Sequence, residues 1–260
     1  MGRHPLGIAL AGAAAGLAGG LFGVGGGLLL VPLLTGPFGL GQHQAHGTSI
    51  AVVGATALTA IVVYALHGNV AWMTAAFVAL ASVFAARWGA RLARRTRPRD
   101  LARAFAVFLG LVAVRLLWRA PAAHGVPLSG AAAAAIDLAV GAVLGLTAGY
   151  MGVGGGIIAV PAFTLLLGMP QQAAQGTSLA VILVTAPAGT LEHHRLGHVA
   201  WRFVPLLAIG AALGSPLGSL LAHRLSAVIL SRVFACFLLA NAVHLWIRAS
   251  RPRAPVEVSP

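Results

Sequence analysis

Long apolar runs separated by short polar stretches set the pattern of this chain. The runs cover roughly 6–34, 47–66, 70–93, 101–118, 131–167, 176–192, 199–221 and 227–247. A helix crosses a bilayer with about 20 apolar residues. Each run is therefore long enough, or nearly so, to read as a membrane helix, and two are long enough for more than one. Trp72 and Trp201 open the third run of each set of four, where an aromatic anchor at the membrane surface would sit. The pattern predicts a first unit over 1–119, a connection over 120–130 with Pro121, Gly125 and Pro127, a second unit over 131–248, and a polar, Pro-rich tail over 249–260 that is expected to be disordered.

Two of the runs are interrupted in the same way. Gly23-Val24-Gly25-Gly26-Gly27 leads to Val31-Pro32, and Gly152-Val153-Gly154-Gly155-Gly156 leads to Val160-Pro161. Glycine costs a helix interior about 1 kcal/mol relative to alanine, so each cluster should break its helix. Broken backbone at membrane depth is tolerated only where protein or a watery cavity satisfies it. Matched breaks in two halves point to a transporter's binding site.

The interruptions belong to an internal duplication. A shift of 129 positions carries Gly23 to Gly152, Pro32 to Pro161, Gln42 to Gln171, Gly47-Thr48-Ser49 to Gly176-Thr177-Ser178, and Val70-Ala71-Trp72 to Val199-Ala200-Trp201. From Gly23 to Trp72 about 22 of 50 residues are identical in the second copy without a gap. The register continues to Phe105/Phe234 and Phe108/Phe237.

Composition fixes the class. The chain has 260 residues, 59% of them hydrophobic and 8% charged, where a soluble domain carries about 25% charged residues. Its mean hydropathy is +0.92. It reads as an all-α polytopic membrane protein. The net charge of +13 comes from 17 Arg and 4 acidic residues, with no Lys. Arginines bunched in membrane loops account for it better than nucleic-acid binding does. The single Cys236 permits no intramolecular disulfide. The N-terminal apolar run continues past any cleavage point, so it reads as structure rather than as a signal peptide.

The arginines also choose an orientation. If every run crossed once, they would divide about nine to eight between the two faces, with no bias. If the first run of each half folds back at its glycines, the division becomes about thirteen to four. The positive-inside rule prefers the second arrangement. The expectation is two inverted repeats of about four hydrophobic segments each, with glycine-broken first helices, in the cell membrane and with both termini cytoplasmic.

The ordered set GVGGG, VP, GTS and GNVAW or GHVAW, present in both halves, resembles the sulfite exporter TauE/SafE family of membrane permeases. The likeness covers about Leu6 to Trp246. It implies transport of small, often sulfur-containing anions, with members differing in substrate and direction. The halves are chemically unequal, since His43, Gln44 and His46 stand opposite Gln172, Ala173 and Gln175.

A helix N-terminus offers unpaired N–H groups and about half a positive charge, and glycine lets an anion approach it. Helices restarting after Gly27 and after Gly156 would present two such ends. The candidate anion-binding residues are Gly23, Gly25, Gly26, Gly27, Gly152, Gly154, Gly155 and Gly156. Gly47, Thr48, Ser49, Gly176, Thr177 and Ser178, expected at helix starts, join them, with Gln42, His46, Gln171 and Gln175 near the same mouths. Tight helix packing would equally use the glycines, and capping would use the hydroxyls. Glu192-His193-His194-Arg195 interrupts the sixth run and breaks the repeat symmetry. Glu192 and His193 are candidates for coupling a proton, or they mark an interfacial loop end. Asp137 falls near the start of the fifth run, at the interface.

A metal site at His193, His194 and His198 is a weaker reading; no metal or other cofactor is expected. The glycine clusters follow no strand and open no βαβ unit, so they are not a dinucleotide loop. No nucleophile–base set is suggested, and the chain is not read as an enzyme. Expected partners are a small anion and the lipid bilayer, not nucleic acid, and a homo-oligomer is left open.

Overall fold

The computed structural model describes residues 5–93, 98–118, 130–151 and 156–250. Gly152, Gly154 and Gly155, nearly all of the 120–130 connection and most of the tail lie outside them. Ten helices form among the described residues: α1 Pro5–Phe22, α2 Gly27–Thr35, α3 Gln42–Leu66, α4 Trp72–Ala93, α5 Pro98–Trp118, α6 Ala131–Met151, α7 Gly156–Leu165, α8 Gln171–Arg195, α9 Val204–Arg224 and α10 Ala227–Ser250. Seven of them are long and apolar enough to cross a membrane. The chain is an all-helical polytopic membrane protein. A bilayer leaves backbone polar groups no other partner, so even the Gly- and Ala-rich α1 is helical. Large apolar side chains such as Leu58, Phe84 and Leu213 face outward, as a lipid-facing surface requires.

Each long first run divides as expected. The 6–34 run becomes α1 and the short α2, and the 131–167 run becomes α6 and the short α7. At nine residues, α2 spans about 14 Å, half a membrane. The break is a backbone device. Gly23, Gly25 and Gly26 have φ of 70°, 73° and 79°, a left-handed conformation that only glycine adopts freely. The chain reverses there, and α2 runs back along α1. An added β-carbon at Gly26 would strike the Ala15 carbonyl, and Leu30 and Leu34 share a buried cluster with Ala15 and Ile8.

Small residues decide which helices pair. On α1, β-carbons at Gly12, Gly16 and Gly20 would strike the carbonyls of Leu207, Ala211 and Ser215 on α9. On α9, those at Gly210, Gly214 and Gly218 would strike Ala9, Ala13 and Leu17. The two numberings rise together, so α1 and α9 run parallel with backbones in contact. The same seam recurs between α6 and α4, where Gly141 meets Val78 and Gly145 meets Ser82. Each pair of residues maps on the other under the 129-position shift. The first helix of each half thus packs on the fourth helix of the other. Lipid gives helices no hydrophobic reason to associate, so close small-residue packing carries this work.

At the centre α3 crosses α8. Ile50 lies against Gly189 and Gly54 against Ala186, while Tyr64 bonds Gln175. Numbers rise on α3 as they fall on α8, so these counterparts run antiparallel. The peripheral α5 packs on α10. With its charged first turns, α5 is not among the seven apolar crossing helices.

Three expectations need correction. Gly47-Thr48-Ser49 and Gly176-Thr177-Ser178 do not start their helices; α3 begins at Gln42 and α8 at Gln171, about a turn and a half earlier. The reason is that Gly41 and Pro170 hold extended ψ of 152° and 149° and stop the helices there. Glu192–Arg195 does not interrupt its run, because α8 continues through Arg195 as its last turn. Asp137 lies nearly two turns into α6 and is only 8% exposed, on the face that carries Gly141 and Gly145 against α4.

Candidate functional site

Gly156, the described end of the second glycine cluster, meets the first interruption between α3 and α8. A β-carbon at Gly23 would lie 2.6 Å from Cα of Gln175 on α8. One at Gly25 would lie 2.6 Å from Val53 Cγ1 on α3. From the other half, one at Gly156 would lie 3.1 Å from Val24 Cα and 2.6 Å from Ile182 Cδ1. The first residue of α7 therefore rests on the turn that precedes α2, and the N-terminal ends of both short helices come together. No side chain caps α2. The N–H groups of Leu29 and Leu30 turn back to the Gly26 carbonyl.

The Gly-Thr-Ser triplets hold this junction, and each of their three residues repeats its role in the other half. The glycine admits a loop: a β-carbon at Gly47 would strike the His198 carbonyl, and one at Gly176 the Asn69 carbonyl. The threonine accepts from the backbone just ahead of a helix in the opposite half. Ala200 N–H donates to Thr48 Oγ1 at 2.9 Å, and Ala71 N–H to Thr177 Oγ1 at 3.0 Å. The serine hydroxyl donates to the carbonyl that opens the short helix, Ser49 to Gly27 at 3.3 Å and Ser178 to Gly156 at 3.4 Å. All four hydroxyls are buried.

The glutamines diverge. Gln171 is 1% exposed, and neither of its amide atoms has a hydrogen-bond partner, whereas Gln42 is exposed on the surface. Gln175 lies against Gly23 and is fully buried. Its Oε1 accepts from the Tyr64 hydroxyl at 3.0 Å, which also lies 2.9 Å from the Gly20 carbonyl. Gln175 Nε2 is buried without a partner. An unpaired buried amide costs about 1–3 kcal/mol, and an anion's oxygen is a partner that would recover it. Sequence reasoning placed Gln175 at the mouth but missed Tyr64. Tyrosine at its position, opposite His193 in the repeat, was the available signal.

Polar residues gather at both ends of the α3/α8 crossing. At one end His43 stacks on His198 (5.1 Å between ring centroids), His198 lies 5.8 Å from His193, and His193 lies 6.0 Å from His46. Glu192 is exposed beside them, and Trp201 Nε1 donates to His194 Nδ1 at 3.1 Å. At the other end His223 stacks on His67 (4.0 Å) and contacts Tyr64 (4.7 Å). Its Nδ1 donates to the Ser219 carbonyl at 2.7 Å, which leaves Nε2 to accept from Asn69 Nδ2 at 3.1 Å. Among the described residues no group of three or more His, Cys, Asp or Glu is placed to hold a metal ion. A cavity of about 420 Å³ opens beside the four-histidine end, bounded by Gly54, Pro187, Thr190, His194 and Trp201 among others.

A family model described as "Sulfite exporter TauE/SafE" matches residues 2–116 and 136–259. A "Probable membrane transporter protein" of Xylella fastidiosa (strain 9a5c) is 32% identical over 235 residues, 88% of this chain and 90% of that protein. The "Probable membrane transporter protein YunE" of Bacillus subtilis (strain 168) is 27% identical over 241 residues, 84% of this chain and 88% of the relative. A "Probable membrane transporter protein" of Haemophilus influenzae (strain ATCC 51907 / DSM 11121 / KW20 / Rd) is 35% identical over 115 residues, 42% of this chain and 44% of the relative. No solved structure matches.

Proposed function

The chain belongs to the sulfite exporter TauE/SafE family of membrane transporters, and from that premise we propose that it is a secondary permease for a small sulfur-containing anion, such as sulfite or an organosulfonate. The observation that carries the substrate class is the meeting of the uncapped start of α2 with the start of α7, beside the unpaired Gln175 amide. Two helix N-termini supply partial positive charge, and N–H groups supply directional donors for three sulfur-bound oxygens. Among the described residues no arginine stands at this junction. Binding by neutral donors is weak enough to reverse, which a permease needs at each turnover.

In this reading the anion sits at mid-membrane and reaches each face in turn. The antiparallel α3 and α8 part at one end and then at the other, while the glycine seams α1–α9 and α4–α6 move as rigid pairs. Inverted repeats make the two open forms approximate images of each other. The arginine excess puts the four-histidine end, with Arg195 and Arg202, on the cytoplasmic side.

The test is flux of radiolabelled sulfite, ethanesulfonate and sulfate in proteoliposomes, with and without a pH gradient, for wild type beside Gly25→Leu. Saturable flux of a sulfur anion that is lost in a monodisperse Gly25→Leu supports the reading. Flux that never saturates indicates a channel of the same architecture. No flux of any anion overturns the substrate class.

A further inference from the structure

The two ends of the α3/α8 crossing are built on the same plan from different chemistry. Under the repeat, His43, His46, His193 and His198 correspond to Gln172, Gln175, Tyr64 and Asn69. The backbone plan is shared. Gly47 admits the His198 carbonyl and the His193 Cβ, and Gly176 admits the Asn69 carbonyl and the Tyr64 Cβ. At one end these positions are held by hydrogen bonds, Tyr64 to Gln175, Asn69 to His223 and Gln172 to the Leu225 carbonyl. At the other, every position is an imidazole, successive rings in the chain His43, His198, His193, His46 lie 5.1–6.0 Å apart, and Nδ1 of His193 and of His198 is buried without a partner.

We propose that these four histidines form a proton-linked anion subsite at one mouth of the permeation path. The inference rests on the permease reading above. Neutral imidazoles stack and close the mouth. Protonation gives each ring two donors and a positive charge; the rings repel one another, and an oxyanion placed among them relieves that repulsion and takes the unpaired Nδ1–H groups. A proton is thus taken up with the anion, at this mouth and not at the other. The charged and titratable groups around the cluster are Glu192, His194 and Arg195 on α8, and Arg202 in the turn before α9. The early turns of α9, α2 and the 36–41 connection bring none.

The repeat supplies its own control. The test variant is His43→Gln/His46→Gln/His193→Tyr/His198→Asn, each position taking the residue of its counterpart. Purified full-length protein in lipid nanodiscs is titrated with ethanesulfonate, a monoanion across the whole range, between about pH 8 and pH 6. Affinity is read by calorimetry and proton uptake by an indicator dye in weak buffer. One coupled proton raises affinity by at most about tenfold per pH unit. Wild type is expected to bind roughly tenfold tighter at the acid end, with proton uptake, and the variant to be flat with none. Should the fourfold variant aggregate, His43→Gln/His198→Asn and His46→Gln/His193→Tyr, each a pair of neighbouring rings, are each expected to lower proton uptake. Saturable but pH-independent binding by wild type overturns this inference alone. So does a pH dependence that survives in the variants, which would assign it to groups outside the four histidines. No binding of ethanesulfonate, sulfite or sulfate by wild type at any pH overturns the permease reading as well.

Discussion

Gln175→Glu is the sharpest perturbation of the proposed anion site, because it changes charge at almost constant shape. The Tyr64 hydroxyl keeps an acceptor, since a carboxylate oxygen replaces Oε1. The unpaired Nε2 donor becomes a second oxygen. Gln175 backs directly on Gly23, in the turn that leads into α2, so an anion held at the start of α2 would meet the new carboxylate at close range. At an effective dielectric constant of about 20, two like charges at roughly 5 Å repel by about 3 kcal/mol, a factor of some 200 in affinity. The lost hydrogen bond to a charged ligand adds about 1.5–3 kcal/mol. Saturable flux should therefore fall at least 100-fold near pH 8 and recover in part toward pH 5, where the neutral acid offers an O–H donor in place of the amide. The assay is initial-rate uptake of labelled ethanesulfonate in proteoliposomes at equal pH on both sides. Full activity at pH 8 in a monodisperse Gln175→Glu would refute the reasoning and move the anion away from α2. Loss of flux with no recovery in acid would show that bulk or folding, not charge, was responsible.

Two further outcomes test the scaffold. Thr48→Val and Thr177→Val each remove a hydroxyl that accepts a backbone N–H from the opposite half. Each should lower stability by about 0.5–1 kcal/mol, read as a lower midpoint in thermal size-exclusion, without changing the KM for ethanesulfonate; a changed KM at unchanged stability would give the hydroxyls to substrate instead. Gly16→Leu drives a side chain into the Ala211 backbone, while Gly7 has nothing within 4 Å of an added β-carbon. Gly16→Leu should destabilise by more than the roughly 1–3 kcal/mol of ordinary overpacking, Gly7→Leu by almost nothing, and equal behaviour of the two in the same thermal assay would contradict the α1–α9 seam.

The break at Gly23–Gly26 was legible in the sequence because it depends on backbone alone. Three left-handed residues in four need glycine whatever surrounds them. The division of 6–34 followed for the same reason, and the repeat carried the expectation to 131–167. Helix partners were hidden. Gly12, Gly16 and Gly20 are spaced as a packing face, and so are Gly210, Gly214 and Gly218. Nothing local says that these two faces meet, since any small-residue face would serve. The triplets were misplaced because Gly-Thr-Ser looks like a helix start, and its actual partners lie 152 and 106 residues away or across the break. The histidine cluster failed for the same reason. His46 and His193 meet only because α3 and α8 run antiparallel. The duplication held a usable clue, since the pair 46/193 is the repeat image of 175/64. Once one contact is known, the shift supplies the other.

That image relation makes a test of alternating access that needs no substrate. Gly47 and Gly176 occupy equivalent places, but a β-carbon at Gly47 strikes the His198 carbonyl and lies 3.1 Å from the His193 Cβ, whereas one at Gly176 strikes the Asn69 carbonyl and lies 3.0 Å from the Tyr64 Cβ. Each methyl obstructs closure of its own mouth and leaves the other untouched. Overpacking by one methyl costs about 1–3 kcal/mol, so an equilibrium between two states of similar energy should shift by about 5- to 150-fold. Gly47→Ala should favour the form open at the histidine end, and Gly176→Ala the form open at the tyrosine end. With Cys236 replaced by serine and a single cysteine placed at Val53, beside Gly25, a membrane-impermeant maleimide reports which face reaches the junction. The two variants should label from opposite sides of right-side-out and inside-out vesicles. Labelling from the same side in both would mean that the glycines do not act on separate mouths, and the repeat symmetry would then describe the fold without describing how it moves.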